Sequence, residues 1–144
     1  MQRSDFEIMA PAGSRETLAA ALQAGADSVY FGIGALNMRA HSAGGFTIDD
    51  LNEIAALCRE HGAKSYLTVN TVIYDGDLAA MREIVSAAKA AGVSAVIASD
   101  VAVMQCCREL GVEVHLSTQL NIANVEALRF YAQFADVVVL AREL

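Results

Sequence analysis

The sequence predicts an α/β fold: a TIM-barrel-like (βα) architecture, as an incomplete barrel of about six parallel strands with helices on the outside. Three observations carry that prediction. Short hydrophobic runs alternate with amphipathic stretches along the chain, with short connections between most of them, the pattern of parallel strands joined by right-handed crossovers. Sorted by alternate residues, the runs give one apolar face and one mixed face, whereas a sheet covered by helices on both sides should be apolar on both. The polar groups of the mixed face gather at the C-terminal ends of the runs, where barrels of this type build their sites.

The elements follow in order. The strand expected over FEIMA (6–10) leads through Pro-Ala-Gly into the helical pattern SRETLAAALQA, with Ser14 placed as its N-cap. The strand SVYFGI (28–33) is followed by the longest loop, IGALNMRAHSAGGF, and by DDLNEIAALCREH. There Thr47 and Asp50, three residues apart, make a capping-box-like pair. KSYLTVN (64–70) precedes DLAAMREIVSAAKAA, AVIAS (95–99) precedes VAVMQCCREL, and EVHLS (113–117) precedes NVEALRFYAQF. VVVLA (137–141) is the sixth strand, close to the last residue, Leu144. Gly25, Gly62, Gly92 and Gly111 each stand just before a strand, where a left-handed residue ends a helix. A closed barrel needs eight strands and about 250 residues, so these 144 residues read as one unit, the N-terminal part of a barrel.

The face sorting places Phe6, Ile8, Val29, Phe31, Ile33, Leu67, Val69, Ala95, Ile97, Val114, Leu116, Val137 and Val139 under the helices. The other face receives Glu7, Met9, Tyr30, Gly32, Tyr66, Thr68, Asn70, Val96, Ala98, Asp100, His115, Ser117 and Gln119, with Arg142 beyond Leu140.

Composition excludes several functions. A net charge of −7 without a cluster of Lys and Arg argues against gripping a nucleic-acid backbone unaided. The apolar runs are too short to cross a bilayer, and the N-terminus lacks a signal-peptide layout, so a cytoplasmic location is expected. Cys58, Cys106 and Cys107 lack metal-type spacing and read as small core residues. The glycines of YFGIG do not complete a dinucleotide fingerprint. A nucleophile elbow and a zinc-type His-Glu pairing are both missing.

Candidate site residues remain. Gly13 precedes a helix N-terminus that could receive an anion. Arg39, in the long loop, could pair with a carboxylate or phosphate. Asn70, Asp100, Gln119, Arg142 and Glu143 fall at or past the ends of successive strands, and converge on one mouth. His115 lies one layer below Ser117 and two below Gln119; it reads first as a hydrogen-bonded interior histidine, and also stands as a candidate base. His41 and His61 read as loop and helix-end residues.

In order, MAPAGS, AGADSVYFG, LTVNT, ASD, HLSTQLN and LAREL resemble the motifs of peptidase family U-32, the collagenase-like proteases, over essentially the whole chain. The resemblance implies a barrel-like catalytic domain. It also implies one of two activities: a peptidase, as the label says, or oxygen-independent hydroxylation of a tRNA uridine, an rRNA cytidine or the ubiquinone ring. The second would use prephenate as donor and an iron–sulfur cluster held by cysteines beyond Leu144, so no cofactor is expected in this chain. By position, Gly13, Tyr30, Asn70, Asp100, Ser117, Gln119, Arg142 and Glu143 match the family's strand-end motifs. The expected roles are anion binding by Arg39 and Arg142, hydrogen bonding by Asn70, Ser117 and Gln119, and proton transfer by Glu143 or Asp100. RNA or a small carboxylate donor is the expected partner of the longer protein. Self-association is expected of the incomplete barrel, as is the alternative that it is an inactive folding unit.

Overall fold

The computed structural model describes residues 2–37 and 45–144; Arg39, His41 and Gly44 lie outside them. Strands β1 (Met9–Pro11), β2 (Ser28–Gly32), β3 (Lys64–Val69), β4 (Ala95–Ala98), β5 (Val114–Leu116) and β6 (Val137–Val138) alternate with helices. These are α1 (Arg15–Gln23), α2 (Leu51–Glu60), α3 (Leu78–Ala91), α4 (Val101–Leu110) and α5 (Val125–Tyr131). The six strands form one sheet in chain order, and every adjacent pair is parallel. This is the predicted half-barrel. Its strands are shorter than the apolar runs: the first begins at Met9, the fifth ends at Leu116 and the sixth spans only Val137 and Val138.

Register decides which face each side chain takes, because paired residues of parallel strands share a face. Leu67 pairs with Phe31 and Val96, and Val96 pairs with Val114; all four are fully or almost fully buried, as are Val69 and Leu116. This outer face meets the helices, and each such side chain contributes about 1.5–3 kcal/mol by leaving water. The inner face carries Tyr30 and Tyr66, which pair with each other, then Thr68 paired with Ile97, and Ile97 paired with His115. Tyr66, Thr68, His115 and Ser117 thus face inward and Leu67, Val69, Val114 and Leu116 face outward, as the alternation predicts.

Two strands differ from the sorting. In β4, Val96 and Ala98 face the helices while Ala95 and Ile97 face inward. In β6, Val137 is inward beside His115, and Val138 is outward beside Leu116. Both runs are apolar on both faces, so alternation had nothing to read. Phe6 and Ile8 also depart: they precede β1 and are exposed.

Local signals act as expected. Ser14 Oγ accepts the Thr17 amide at 3.3 Å. Asp50 Oδ2 accepts the Thr47 amide at 2.8 Å, closing a short 3-10 turn, Ile48–Asp50, that leads into α2. Gly25, Gly62, Gly92 and Gly111 all have positive φ. His61 ends α2, with Nδ1 at 2.9 Å from the Leu57 carbonyl.

Successive helices are also tied end to end. Arg59, in the last turn of α2, donates to the Ala91 carbonyl at the end of α3 at 3.2 Å. Lys89, in the last turn of α3, donates to the Leu110 carbonyl at the end of α4. Each cation sits three residues before a left-handed glycine, Gly62 or Gly92. A cation there satisfies open carbonyls and the negative end of the helix dipole.

Candidate functional site

The inner face holds two polar tiers. The lower tier joins alternate strands. The Tyr66 hydroxyl, on β3, donates to Glu7 Oε1 just before β1 at 2.6 Å. The Tyr66 ring lies 4.6 Å from that of His115 on β5, tilted by 56°. His115 Nε2 lies 2.8 Å from Glu113 Oε1. Tyr66 reaches His115 over β4 because its paired side chain there, Ala95, is small. Large side chains from alternate strands sharing one layer is barrel packing. Burial first, then the Glu7 bond, pushes the Tyr66 phenol well above its ordinary range. For Glu7, partial burial works upward, but the Tyr66 hydrogen bond, helped by the nearby Ser28 hydroxyl and the Lys64 charge, outweighs it and holds the carboxyl low. The tier is a hydrogen-bonded interior cluster, and His115 belongs to it.

The upper tier lines the mouth. Thr68 is buried on the inner face and donates from Oγ1 to the Phe31 carbonyl at 3.0 Å. Asn70 directly follows β3. Ser117 follows β5, is 5% exposed, and its amide donates to the Ala98 carbonyl at 2.8 Å. The Thr71 Oγ1, one residue after Asn70, is buried and has no hydrogen-bond partner among the described residues. Tyr30 sits one step lower on β2, partly buried. Glu113, His115 and Ser117 therefore share the inner side of one strand, a Ser-His-acid set by composition. Its relay stops halfway: Ser117 Oγ accepts the Gln119 amide at 3.3 Å, and among the described residues no hydrogen bond joins it to His115.

The remaining candidates are placed differently. Asp100 is the N-cap of α4, where Oδ1 accepts the Ala102 amide at 2.8 Å and Oδ2 the Ile73 amide at 3.0 Å. Both oxygens hold backbone, which gives Asp100 a structural task. Gln119 is exposed on a 3-10 turn, Thr118–Leu120. Arg142 and Glu143 are exposed in the turn after β6. The amides of Gly13 and Ser14 both donate to Thr17 Oγ1, at 3.0 and 2.9 Å, so they are not open to an anion. Sequence reasoning missed the partnership of Glu7 with Tyr66, and missed Thr71; both depend on contacts that cross strands or loops.

The model of Peptidase family U32 matches residues 13–144. The chain belongs to this family. It is 69% identical over 144 residues to a protein named collagenase from Porphyromonas gingivalis, covering 100% of this chain and 35% of that protein. It is 36% identical to tRNA hydroxylation protein P1 of Bacillus subtilis, over 95% of this chain and 33% of that protein. A 23S rRNA 5-hydroxycytidine synthase of Escherichia coli is 31% identical, with 96% and 21% covered. This U32 chain thus spans about a third or less of these relatives. Among solved structures, a U32 peptidase superposes with a TM-score of 0.72 at 13% identity, over 93% of this chain and 57% of that one. Deoxyribose phosphate aldolase from Aeropyrum pernix gives 0.70 at 15%, over 93% and 63%. Those likenesses show the barrel-type fold alone.

Proposed function

We propose that this U32 chain is the N-terminal part of a catalytic barrel that hydroxylates a pyrimidine of RNA. The observation that carries the reading is the chemistry of the mouth. Tyr30, Thr68, Asn70 and Ser117 are neutral groups with both donors and acceptors, suited to the edge of an uncharged base splayed into a pocket. Relatives whose names specify tRNA and rRNA hydroxylation support it. RNA is then the partner of the longer protein, with a small carboxylate such as prephenate as donor, in the cytoplasm. Among the described residues no helix is long and apolar enough to cross a membrane.

An iron–sulfur cluster does not fit the cysteines present. Cys58, Cys106 and Cys107 are buried, and burial raises all three thiols, Cys107 to about 12, which opposes the thiolate a cluster needs. Any cluster belongs to another part of the longer protein.

A peptidase is the second reading. It is favoured by the collagenase-named relative and by the Glu113–His115 pair below Ser117. One experiment separates the two. The gene for the full-length protein is deleted, and hydroxylated uridine and cytidine are measured by mass spectrometry of digested RNA. Loss of one such nucleoside, restored by the gene, supports hydroxylation. Unchanged nucleosides, with collagen peptide cleavage that Ser117→Ala abolishes, support the peptidase.

A further inference from the structure

We propose that Asn37 is a wall residue of the mouth, taking the place of the side chain that β2 lacks there. The inference deepens the reading of the mouth as the substrate site and rests on it.

Gly32 is the last residue of β2 and pairs with Thr68, so its missing side chain would point inward at the mouth. A Cβ at Gly32 would lie 2.3 Å from Cγ and Oδ1 of Asn37 and 2.8 Å from Nδ2. No real Cβ tolerates that approach, so the carboxamide fills the volume a side chain on β2 would occupy. The amide arrives from the loop after β2. Its Nδ2 donates to the Ile33 carbonyl at 3.0 Å and the Gly34 carbonyl at 3.1 Å. Gly34 turns the chain with φ +55. Asn37 is 3% exposed.

The arrangement costs the strand a glycine in its interior face, while the buried amide is satisfied by its bonds to the Ile33 and Gly34 carbonyls. What it gains is a polar wall beside Thr68, held by two bonds and unable to rotate freely. The wall sets how deep a flat, uncharged ring can settle over the ends of β2 and β3, so Asn37 is a specificity-determining residue for a pyrimidine-sized ligand.

The test uses the full-length protein in the deletion strain, with hydroxylated nucleosides measured by mass spectrometry and melting temperature measured on each purified variant. Asn37→Ala, which leaves the Ile33 and Gly34 carbonyls without their donor, should melt a few degrees below wild type but remain folded, and should lose modification about tenfold or more. Gly32→Ala should lose both stability and modification. The double variant Gly32→Ala/Asn37→Ala should recover the melting temperature of Asn37→Ala, because the clash is gone, without recovering modification. Should Asn37→Ala fail to fold, Asn37→Gln, which keeps a carboxamide donor but displaces it by one methylene, decides by the same loss. Asn70→Ala reports on the mouth itself. Wild-type modification by a folded Asn37 variant, with Asn70→Ala inactive, overturns the role of Asn37 alone. Wild-type modification by both variants overturns the mouth as the site, and Asn37 with it.

Discussion

Tyr66 and Glu7, 59 residues apart, meet across the inside of the sheet through a 2.6 Å hydrogen bond. The bond ties the segment before β1 to the centre of the half-barrel. Tyr66→Phe keeps the ring against His115 and removes only the hydroxyl. Urea unfolding should show a loss of about 1 kcal/mol, with an unchanged far-UV spectrum. Unaltered stability would mean that the bond contributes nothing.

Acid should loosen the same segment. The Ile8 amide, then Arg3, holds the Asp27 carboxyl low, and the Glu7 carboxyl is low as well, for the reasons given above. A carboxyl whose folded pKa lies below its unfolded one stabilises the fold fully above the unfolded value. That stability is lost as pH falls from the ordinary values of 3.8 for Asp and 4.5 for Glu through the lower folded ones. Melting temperature should therefore fall below about pH 4.5, and Asp27→Asn should flatten the fall. A flat profile down to pH 3 would contradict this.

Asp100 distinguishes a cap from a proton donor. Asp100→Ala should cost about 1–2 kcal/mol in thermal or urea unfolding. Asp100→Asn, which can still accept from Ala102, should cost less. If the full-length Asn variant keeps modification while remaining folded, the carboxyl moves no proton in the reaction.

The thiols provide a direct check on burial. Cys58, Cys106 and Cys107 are each at most 1% exposed, so the native chain should react slowly with a thiol reagent such as DTNB and the unfolded chain at once. Fast reaction at any native cysteine would show that its helix does not pack as described.

Self-association follows from the open edges. Within this chain β1 and β6 each pair with one neighbour, and Met9, Val137 and Leu140 are between 42% and 46% exposed. Light scattering should report a dimer or larger species, and Val137→Lys with Leu140→Lys should reduce it to a monomer.

Much of this was legible in the chain, and the failures have physical causes. β3 and β5 could be read because Tyr66, Thr68, His115 and Ser117 alternate with hydrophobes. β4 could not, since Ala95, Val96, Ile97 and Ala98 are apolar on both faces, and Asp100, sorted with Val96 and Ala98, lies beyond the strand and caps α4. Of the strand-end residues, Asn70 and Ser117 could be placed by alternation, whereas Asp100, Gln119, Arg142 and Glu143 lie beyond their strands, in a cap and in turns. Asn37 was not, because its place beside Gly32 depends on how a loop folds back, which no periodicity encodes.

The two cationic ties, Arg59 to the end of α3 and Lys89 to the end of α4, have a consequence for the order in which the molecule comes apart. α3 is fastened by α2 and α4 by α3, so both are gripped from behind. Among the described residues neither α2 nor α5 receives such a grip at its end. Thermal opening should therefore spread inward from the two flanks, and the amides of β3 and β4 should exchange with deuterium last. Arg59→Ala would shift that protection at the end of α3 more than at the end of α2, transmitting damage forward along the chain and not backward.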